Sequence, residues 1–251
     1  MTLQLGSRCF FIPSMDSYSQ FGEDLLVWKY FGAKPDGFYV EIGANHPSKG
    51  SQTCLLEQRG WKGILVEPIA KNCDLLRQQR PGSLVFNCAL GSPAQRGRAR
   101  FNVAANGDGH SGLVVNDGVV VEKVEEVELR TFDDVLAEAG NPKLDFVSID
   151  VEGTELQVLH GFDLARHLPA LLLVEDWLYS LDVHRHLVRH GYRLVKRTGL
   201  NNWYIPKGRP FSLSSGMERL KLFRKMFLGL PFRKRNRARH WRTGLSTGTA
   251  E

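Results

Sequence analysis

The chain has 251 residues, of which 42% are hydrophobic and 24% charged, and these proportions exclude wholesale disorder and predict one packed core. Its net charge of +6 is uneven, because residues 217–251 hold ten Lys and Arg against two Asp and Glu. The first 216 residues therefore carry a net charge of −2. Any attraction to nucleic acid, anionic lipid or an acidic polymer must come from the C-terminal tail.

The cysteines and apolar runs narrow the class of protein further. The four cysteines have neither C-x-x-C pairing nor zinc-ligand spacing, so we expect free thiols in a reducing cytosol and no structural zinc. No run approaches the roughly 18 apolar residues that span a bilayer, and no secretion signal is evident. We therefore expect a cytoplasmic protein.

Strands and helices alternate along the first part of the chain, which favours a mostly parallel sheet covered on both faces. A strand over 38–42, a helix over 53–59 and a strand over 64–66 form one predicted βαβ unit. A helix over 70–79 and a strand over 84–88 complete three parallel strands.

The middle of the chain departs from this alternation. Residues 100–103 and 119–129 alternate like half-exposed strands around the Gly-rich stretch 106–112, which predicts a β-excursion around a mobile loop. That loop is either a lid over the substrate or a flexible turn. Thr131 with Asp134 resembles a capping box that opens a short helix.

The last part of the domain resumes the strand–helix order and ends in an antiparallel pair. Its predicted elements are strands over 144–149 and 170–174, helices over 154–160 and 181–190, and a pair of strands over 192–195 and 203–205. A shift in composition after residue 208 predicts an N-terminal extension over 1–16, one α/β domain over 17–208 and a basic tail over 209–251.

Residues at the ends of the first two strands predict a nucleotide-type ligand. Gly43 ends the first strand, and Glu67 ends the second strand 24 residues later, where an acidic residue binds ribose hydroxyls. The G-x-G-x-x-G pattern of dinucleotide enzymes is absent after Gly43. S-adenosylmethionine has no phosphate to hold, and Glu41 can face its ammonium group, so this donor fits better than NAD.

Carboxylates at the ends of later strands are candidates for the chemistry. Asp150 and Glu175 end two strands, and Glu152 follows Asp150 closely; we interpret Asp150 as a base or as a group that orients the acceptor. Alternatively, Asp150 caps a helix, and Glu152 and Glu155 in its first turn favour its dipole. His46 suits a base by its ordinary pKa, but it is equally explained as a turn residue before a proline.

Three residues before the first strand have two interpretations. Ser19, Gln20 and Glu23 lie over the donor if the N-terminal segment folds back across the crevice. Alternatively, Ser19 is the N-cap of an ordinary helix.

Several ordered motifs together resemble the FkbM-type methyltransferases over roughly residues 17–205. They are SQFGEDL (19–25), FYVEIGANHPSKGSQT (38–53), GWKGILVEP (60–68), NCALG (87–91), HSGL (110–113), LRTFDDVL (129–136) and DFVSIDVEGTELQVLHGF (145–162). The resemblance implies a class I methyltransferase (Rossmann-like) fold, doubly wound, with a mostly parallel seven-stranded sheet and an antiparallel final strand. Ser148 stands where many members have Lys, so no role of that lysine is transferred.

The resemblance also implies S-adenosyl-L-methionine as donor and O-methylation of a sugar, glycan or glycolipid precursor, or natural product. The alternatives are a nucleic-acid methyltransferase that uses the basic tail and a catalytically silent donor-binding scaffold. We expect no metal. The candidate catalytic residues are Asp150, Glu152, Glu175 and His46, and the candidate donor-binding residues are Gln20, Glu41, Gly43, Asn45, Ser51, Glu67, Pro68, Cys88, Ala89 and Asp150.

The tail combines apolar residues at helical spacing with many cations. Leu220, Phe223, Phe227 and Leu230 form the apolar series, and Lys and Arg are interleaved with it. Such a segment lies on an anionic membrane surface or grips an acidic polymer. The alternative is a helix packed on the domain, followed by a solvated basic end.

Overall fold

A computed structural model describes residues 16–105, 108–116 and 118–233. Residues 1–15 of the predicted N-terminal extension, the start of the predicted loop at 106–107 and the end of the basic tail at 234–251 thus lie outside the described residues.

The described chain folds into ten strands and eight α-helices. The strands are β1 (Phe38–Ile42), β2 (Lys62–Val66), β3 (Ser83–Phe86), β4 (Ala89–Leu90), β5 (Gly97–Ala104), β6 (Val121–Arg130), β7 (Phe146–Ile149), β8 (Leu171–Glu175), β9 (Tyr192–Thr198) and β10 (Asn201–Pro206). The helices are α1 (Glu23–Tyr30), α2 (Cys54–Gln58), α3 (Ala70–Gln79), α4 (Phe132–Glu138), α5 (Glu155–His160), α6 (Leu164–His167), α7 (Asp182–Arg189) and α8 (Gly216–Phe223).

Seven strands form the main sheet in the order β3-β2-β1-β7-β8-β10-β9. The first five strands in this order are parallel, whereas β10 runs antiparallel to both β8 and β9. The predicted doubly wound sheet with an antiparallel final strand is confirmed. The hydrophobic runs of β1, β2, β7 and β8 are almost wholly buried, as is typical of parallel strands covered on both faces.

Helices cover the two faces of this sheet around separate apolar clusters. Successive side chains of a strand point to opposite faces, so Val40 belongs to one cluster and Tyr39 to the other. Helices α4 to α7 pack on the Val40 side, and α1 to α3 pack on the Tyr39 side. The face on which each β1 side chain lies decides what surrounds it at the site.

The predicted β-excursion is present as a small sheet in the order β4-β6-β5. The predicted capping box of α4 is also present: Thr131 Oγ1 accepts a hydrogen bond from the Asp134 amide at 3.1 Å, and the Asp134 carboxylate accepts one from the Thr131 amide at 3.0 Å.

The placement of Cys88 in a strand is wrong, because β3 ends at Phe86. Cys88 nevertheless lies buried between β3 and β4.

The register of the central strands brings their carboxyl ends level. Ile42 of β1 pairs with Val66 of β2 on one side and with Ile149 of β7 on the other. The residues that follow these three strands, including Gly43, Glu67 and Asp150, therefore meet at one edge of the sheet.

Candidate active site

A cavity of about 960 Å³ opens at the carboxyl edge of the main sheet. Its wall contains every candidate site residue that the sequence predicted except Ser51. A cavity of this size at the strand ends matches the usual place and volume of a small-molecule site in an open α/β sheet. Strand register thus brings together residues that are far apart in the chain.

Glu67 lies at the end of β2 with both carboxylate oxygens fixed by backbone amides. One oxygen accepts a hydrogen bond from Asn45 N at 2.8 Å, and the other accepts one from Ile69 N at 2.8 Å. A carboxylate oxygen accepts more than one hydrogen bond, so both oxygens retain capacity toward the cavity. This arrangement fits a pair of vicinal ribose hydroxyls.

Glu41 lines the cavity from β1 but is held mainly by the protein. Its carboxylate accepts hydrogen bonds from Ser51 Oγ at 2.9 Å, from Gln52 N at 2.6 Å and from Thr53 Oγ1. Burial raises the pKa of Glu41, and the nearby Arg80 guanidinium opposes that rise. Through these contacts, Glu41 holds the segment between β1 and α2 in place.

Ser51 acts through Glu41 rather than on the cavity wall. Its hydroxyl donates to Glu41, and the Arg80 Nη1 donates to Ser51 Oγ at 3.2 Å. Arg80 also donates to Thr53 Oγ1 at 3.0 Å and forms an ion pair with Glu57 at 2.7 Å. Sequence reasoning missed Arg80, which follows α3 with no motif around it and reaches this network only through the fold.

Several smaller contacts complete the donor side of the cavity. Asn45 adopts a left-handed backbone with φ of 49° and accepts a hydrogen bond from Asn72 Nδ2 at 3.2 Å. Pro68, Cys88 and Ala89 line the same wall. Cys88 is buried among apolar residues, and that burial raises the pKa of its thiol to about 12, so it acts as an apolar wall residue.

Gly43 is required by the approach of two strands. Its φ is +84°, and a Cβ at this position would lie 1.8 Å from the backbone oxygen of Asp150. The sequence predicted that this glycine lets a ligand come close. The structure gives a different physical reason, which is the contact between the ends of β1 and β7.

Asp150, Glu152 and Glu175 form a cluster of carboxylates on the other side of the cavity. One oxygen from each lies within 4.8 Å of the others. Burial raises the pKa of Asp150 and of Glu175, and the negative charges of the neighbouring carboxylates raise both further. Glu175 Oε2 is buried without a hydrogen-bond partner among the described residues. We call these three residues the carboxylate cluster.

Glu152 reaches the carboxylate cluster through an unusual backbone conformation. Its φ is 58°, in the left-handed region that non-glycine residues rarely adopt. The loop after β5 packs on it: Asn116 Nδ2 donates to the Glu152 carbonyl at 2.9 Å, and His110 Nδ1 lies 3.5 Å from Glu152 Oε1. Glu155, by contrast, accepts a hydrogen bond from Gly153 N at 2.9 Å and stabilises the turn before α5.

His46 lines the cavity, but its ring also shapes a turn. Nδ1 accepts hydrogen bonds from Ser48 N at 3.1 Å and from Lys49 N at 3.0 Å. Only Nε2 is then left to exchange a proton with a ligand, and the turn interpretation accounts for the position of the ring.

The N-terminal segment folds back beside the cavity, where Ser19 forms a β-bridge with Gly50. Gln20 lines the cavity. The interpretation of Ser19 as the N-cap of a helix is wrong, because α1 begins after Gly22, and the Ser19 hydroxyl instead bonds to Asp24 at 2.9 Å. Glu23 is buried and accepts a hydrogen bond from Asn201 Nδ2 at 3.1 Å, so it ties the segment to β10.

Two further cavity residues were not predicted. Gln52 is buried, and its Oε1 has no hydrogen-bond partner within the described part of the chain. Trp177 follows β8 at the rim, 43% exposed, and its ring is stacked almost parallel to that of Tyr179. The sequence signal for Gln52 was its place in the 38–53 motif, whereas no pattern marked Trp177.

Comparison with protein families found a match to the family model described as the methyltransferase FkbM domain, over residues 41–194. This range includes the ends of β1, β2, β7 and β8, and with the strand order it identifies the class I methyltransferase fold. A comparison with curated proteins found no match.

Solved structures with a similar fold include three from bacteria. A methyltransferase FkbM from Methylobacillus flagellatus is 18% identical with a TM-score of 0.46, and the alignment covers 76% of this chain and 48% of that one. A precorrin-6y C5,15-methyltransferase from Geobacter metallireducens is 13% identical with a TM-score of 0.39, covering 72% and 85%. TrmK of M. capricolum, in complex with S-adenosyl-homocysteine, is 10% identical with a TM-score of 0.37, covering 73% and 67%. The chain thus spans about half of the Methylobacillus protein.

Proposed function

The chain belongs to the FkbM methyltransferase family, and from this premise we propose that it transfers a methyl group from S-adenosylmethionine to a hydroxyl of a sugar, glycan or glycolipid precursor, or natural product. The observation that carries the proposal is the division of one cavity into two sides. Glu67 follows β2 on one side of β1 in the sheet, the carboxylate cluster lies at the ends of β7 and β8 on the other side, and all of these residues line the same cavity.

The donor side fits an adenosyl and an amino acid group. Glu67 is held in place by Asn45 N and Ile69 N and accepts from the ribose hydroxyls. Gln52 Oε1, which has no hydrogen-bond partner among the described residues, supplies an acceptor for the ammonium group. Glu41 offers less capacity, because its oxygens already accept three hydrogen bonds. Apolar wall residues enclose the adenine.

The acceptor side supplies orientation and a route for the proton. When bound, the donor provides an activated methyl group: the new O–CH₃ bond forms as the CH₃–S bond breaks, and sulfur keeps the electron pair as a neutral thioether. Asp150 orients the hydroxyl or takes its proton, and such proton transfer contributes about 10² to 10⁴-fold. The protein otherwise contributes mainly by positioning.

The aromatic residue at the rim supports a sugar-like acceptor. Trp177 is partly exposed at the end of β8, two residues after Glu175, and its ring plane lies 4° from that of Tyr179. A flat exposed indole offers an apolar face and an N–H donor in one side chain. Both features match a sugar, which presents C–H faces and hydroxyls.

Removal of the Glu67 carboxylate is expected to weaken donor binding. Glu67→Ala should lower the affinity for S-adenosylmethionine by about 10- to 100-fold, the scale of lost hydrogen bonds to a charged group. Isothermal titration calorimetry measures this, with Glu126→Ala, an exposed strand residue, as control. No wild-type binding, or equal binding by Glu67→Ala, would contradict the assignment.

For the tail, we propose contact with an anionic membrane surface. Helix α8 is attached to the domain by an ion pair between Lys196 and Glu218 at 3.1 Å. Its Met217, Leu220 and Phe223 are nonetheless more than half exposed. Cations interleaved with an exposed apolar face favour the surface of an anionic bilayer. No helix in the described part of the chain is long and apolar enough to cross a membrane.

This surface contact predicts a lipid-dependent result. Full-length protein should sediment with vesicles that contain phosphatidylserine more than with neutral vesicles, and Leu220→Glu with Phe223→Glu should reduce the bound fraction severalfold. Val120→Glu, at an exposed apolar residue outside α8, is the control and should bind as wild type. Equal sedimentation of the α8 variant and wild type would remove the membrane proposal.

A further inference from the structure

The carboxylate cluster has no lysine or arginine partner within the described part of the chain. His110 lies 3.5 Å from Glu152, where it adds a positive charge only when protonated. Buried carboxylates are either protonated or paired with a cation, so a bound cation is one way to balance this cluster.

Glu175 gives an independent indication of a missing ligand. It is 6% exposed, and its Oε2 is buried with no hydrogen-bond partner in the part of the chain that the structure describes. A buried carboxylate oxygen without a partner is costly, because it has lost its contact with water. The Glu175 carboxylate lies within 4.8 Å of the oxygens of Asp150 and Glu152, so it faces the space between them.

The backbone also directs Glu152 toward this space. A left-handed conformation costs a non-glycine residue about 1 to 2 kcal/mol, and such conformations persist where the surrounding structure imposes them. The hydrogen bond from Asn116 Nδ2 to the Glu152 carbonyl helps to hold it. Three elements therefore converge on one point: the turn after β7, the end of β8 and the loop after β5.

We propose that Asp150, Glu152 and Glu175 bind a divalent cation, Mg²⁺ or Mn²⁺, on the acceptor side of the cavity. The three oxygens lie within 4.8 Å of one another, and small side-chain rotations bring them within the roughly 4.4 Å that separates two oxygens each about 2.0 to 2.2 Å from one hard cation. Water and the acceptor oxygen complete the coordination. This proposal departs from the sequence-based expectation of no metal, because the ligands come from the ends of two different strands and share no spacing pattern.

The role of the cation in turnover rests on the proposed function, whereas its binding does not. A hydroxyl bound to a divalent cation loses its proton more readily, which assists methylation of a poor nucleophile. Asp150 then orients the acceptor by holding the cation, one of the two roles expected for it.

Titration with Mn²⁺ tests the site without any substrate. Free Mn²⁺ is followed by electron paramagnetic resonance as it is added to the full-length protein. Wild type should bind one Mn²⁺ per chain, displaceable by Mg²⁺, and Glu175→Gln should bind at least tenfold more weakly. Glu152→Gln, at a less buried ligand, should show the same loss if Glu175→Gln fails to fold. Glu126→Gln, an exposed carboxylate outside the cavity, should bind as wild type.

The same samples separate this inference from the proposed function when S-adenosylhomocysteine binding is measured beside Mn²⁺ binding. Binding of the nucleoside without stoichiometric Mn²⁺, or equal Mn²⁺ affinity in wild type and both ligand variants, overturns the cation site and leaves the methyltransferase proposal intact. Stoichiometric Mn²⁺ binding that the ligand variants weaken supports the cation site, even where the nucleoside does not bind and the proposed function fails.

Discussion

Replacement of Asp150 by Asn is expected to reduce methyl transfer by about 10² to 10⁴-fold, the range for loss of a positioned acid–base group. The amide has nearly the same volume as the carboxylate. It does not accept the hydroxyl proton, and it binds a cation more weakly than the carboxylate does. Glu67 follows β2, which β1 separates from β7 in the sheet, so affinity for the donor should change little. Methyl transfer is measured with the sugar compound on which the wild-type protein shows the highest turnover in a screen of acceptors.

The stability of Asp150→Asn distinguishes a chemical role from a structural one. Asp150 is close to two further carboxylates, and removing one charge relieves repulsion between them. The melting temperature should therefore be equal to or above that of wild type, measured without added metal. Wild-type turnover in Asp150→Asn would refute the role, and Glu126→Gln serves as the control for the loss of an exposed carboxylate.

The sheet was predictable because its strands have a strong local signature. The buried runs of β1, β2, β7 and β8 are mostly apolar, and α3 begins and ends at the predicted residues, 70–79. The Thr131 capping box is likewise a local pattern. Elements without such signals were missed, including the four-residue helix α6 and the two-residue strand β4.

The site was predictable to the extent that strand ends determine it. Parallel strands place their carboxyl ends at one edge, so Glu67, Asp150 and Glu175 could be assigned to one crevice from their positions alone. Contacts between residues that are far apart in the sequence could not be assigned, because they form only in the folded chain. Arg80 reaches Ser51 across 29 residues of chain, and Asn116 reaches Glu152 across 36.

The sequence also could not show why position 43 requires a glycine. The structural reason predicts a large loss of stability when this glycine is replaced. Gly43→Ala should destabilise the protein strongly, because the new Cβ would lie 1.8 Å from the backbone oxygen of Asp150. Relief requires the ends of β1 and β7 to separate in the middle of the sheet. We expect a loss well above the roughly 1 to 2 kcal/mol that a left-handed backbone alone costs alanine.

Gly191→Ala is a closely matched control for this effect. Gly191 has the same φ of +84°, but a Cβ there would meet nothing within 4 Å. Chemical denaturation should therefore show a cost of about 1 to 2 kcal/mol for Gly191→Ala and a clearly larger cost for Gly43→Ala. Because the clash involves Asp150 itself, folded Gly43→Ala should also lose turnover, whereas Gly191→Ala should retain it. Equal costs for the two variants would show that backbone strain, and not the approach of β1 to β7, explains the glycine at position 43.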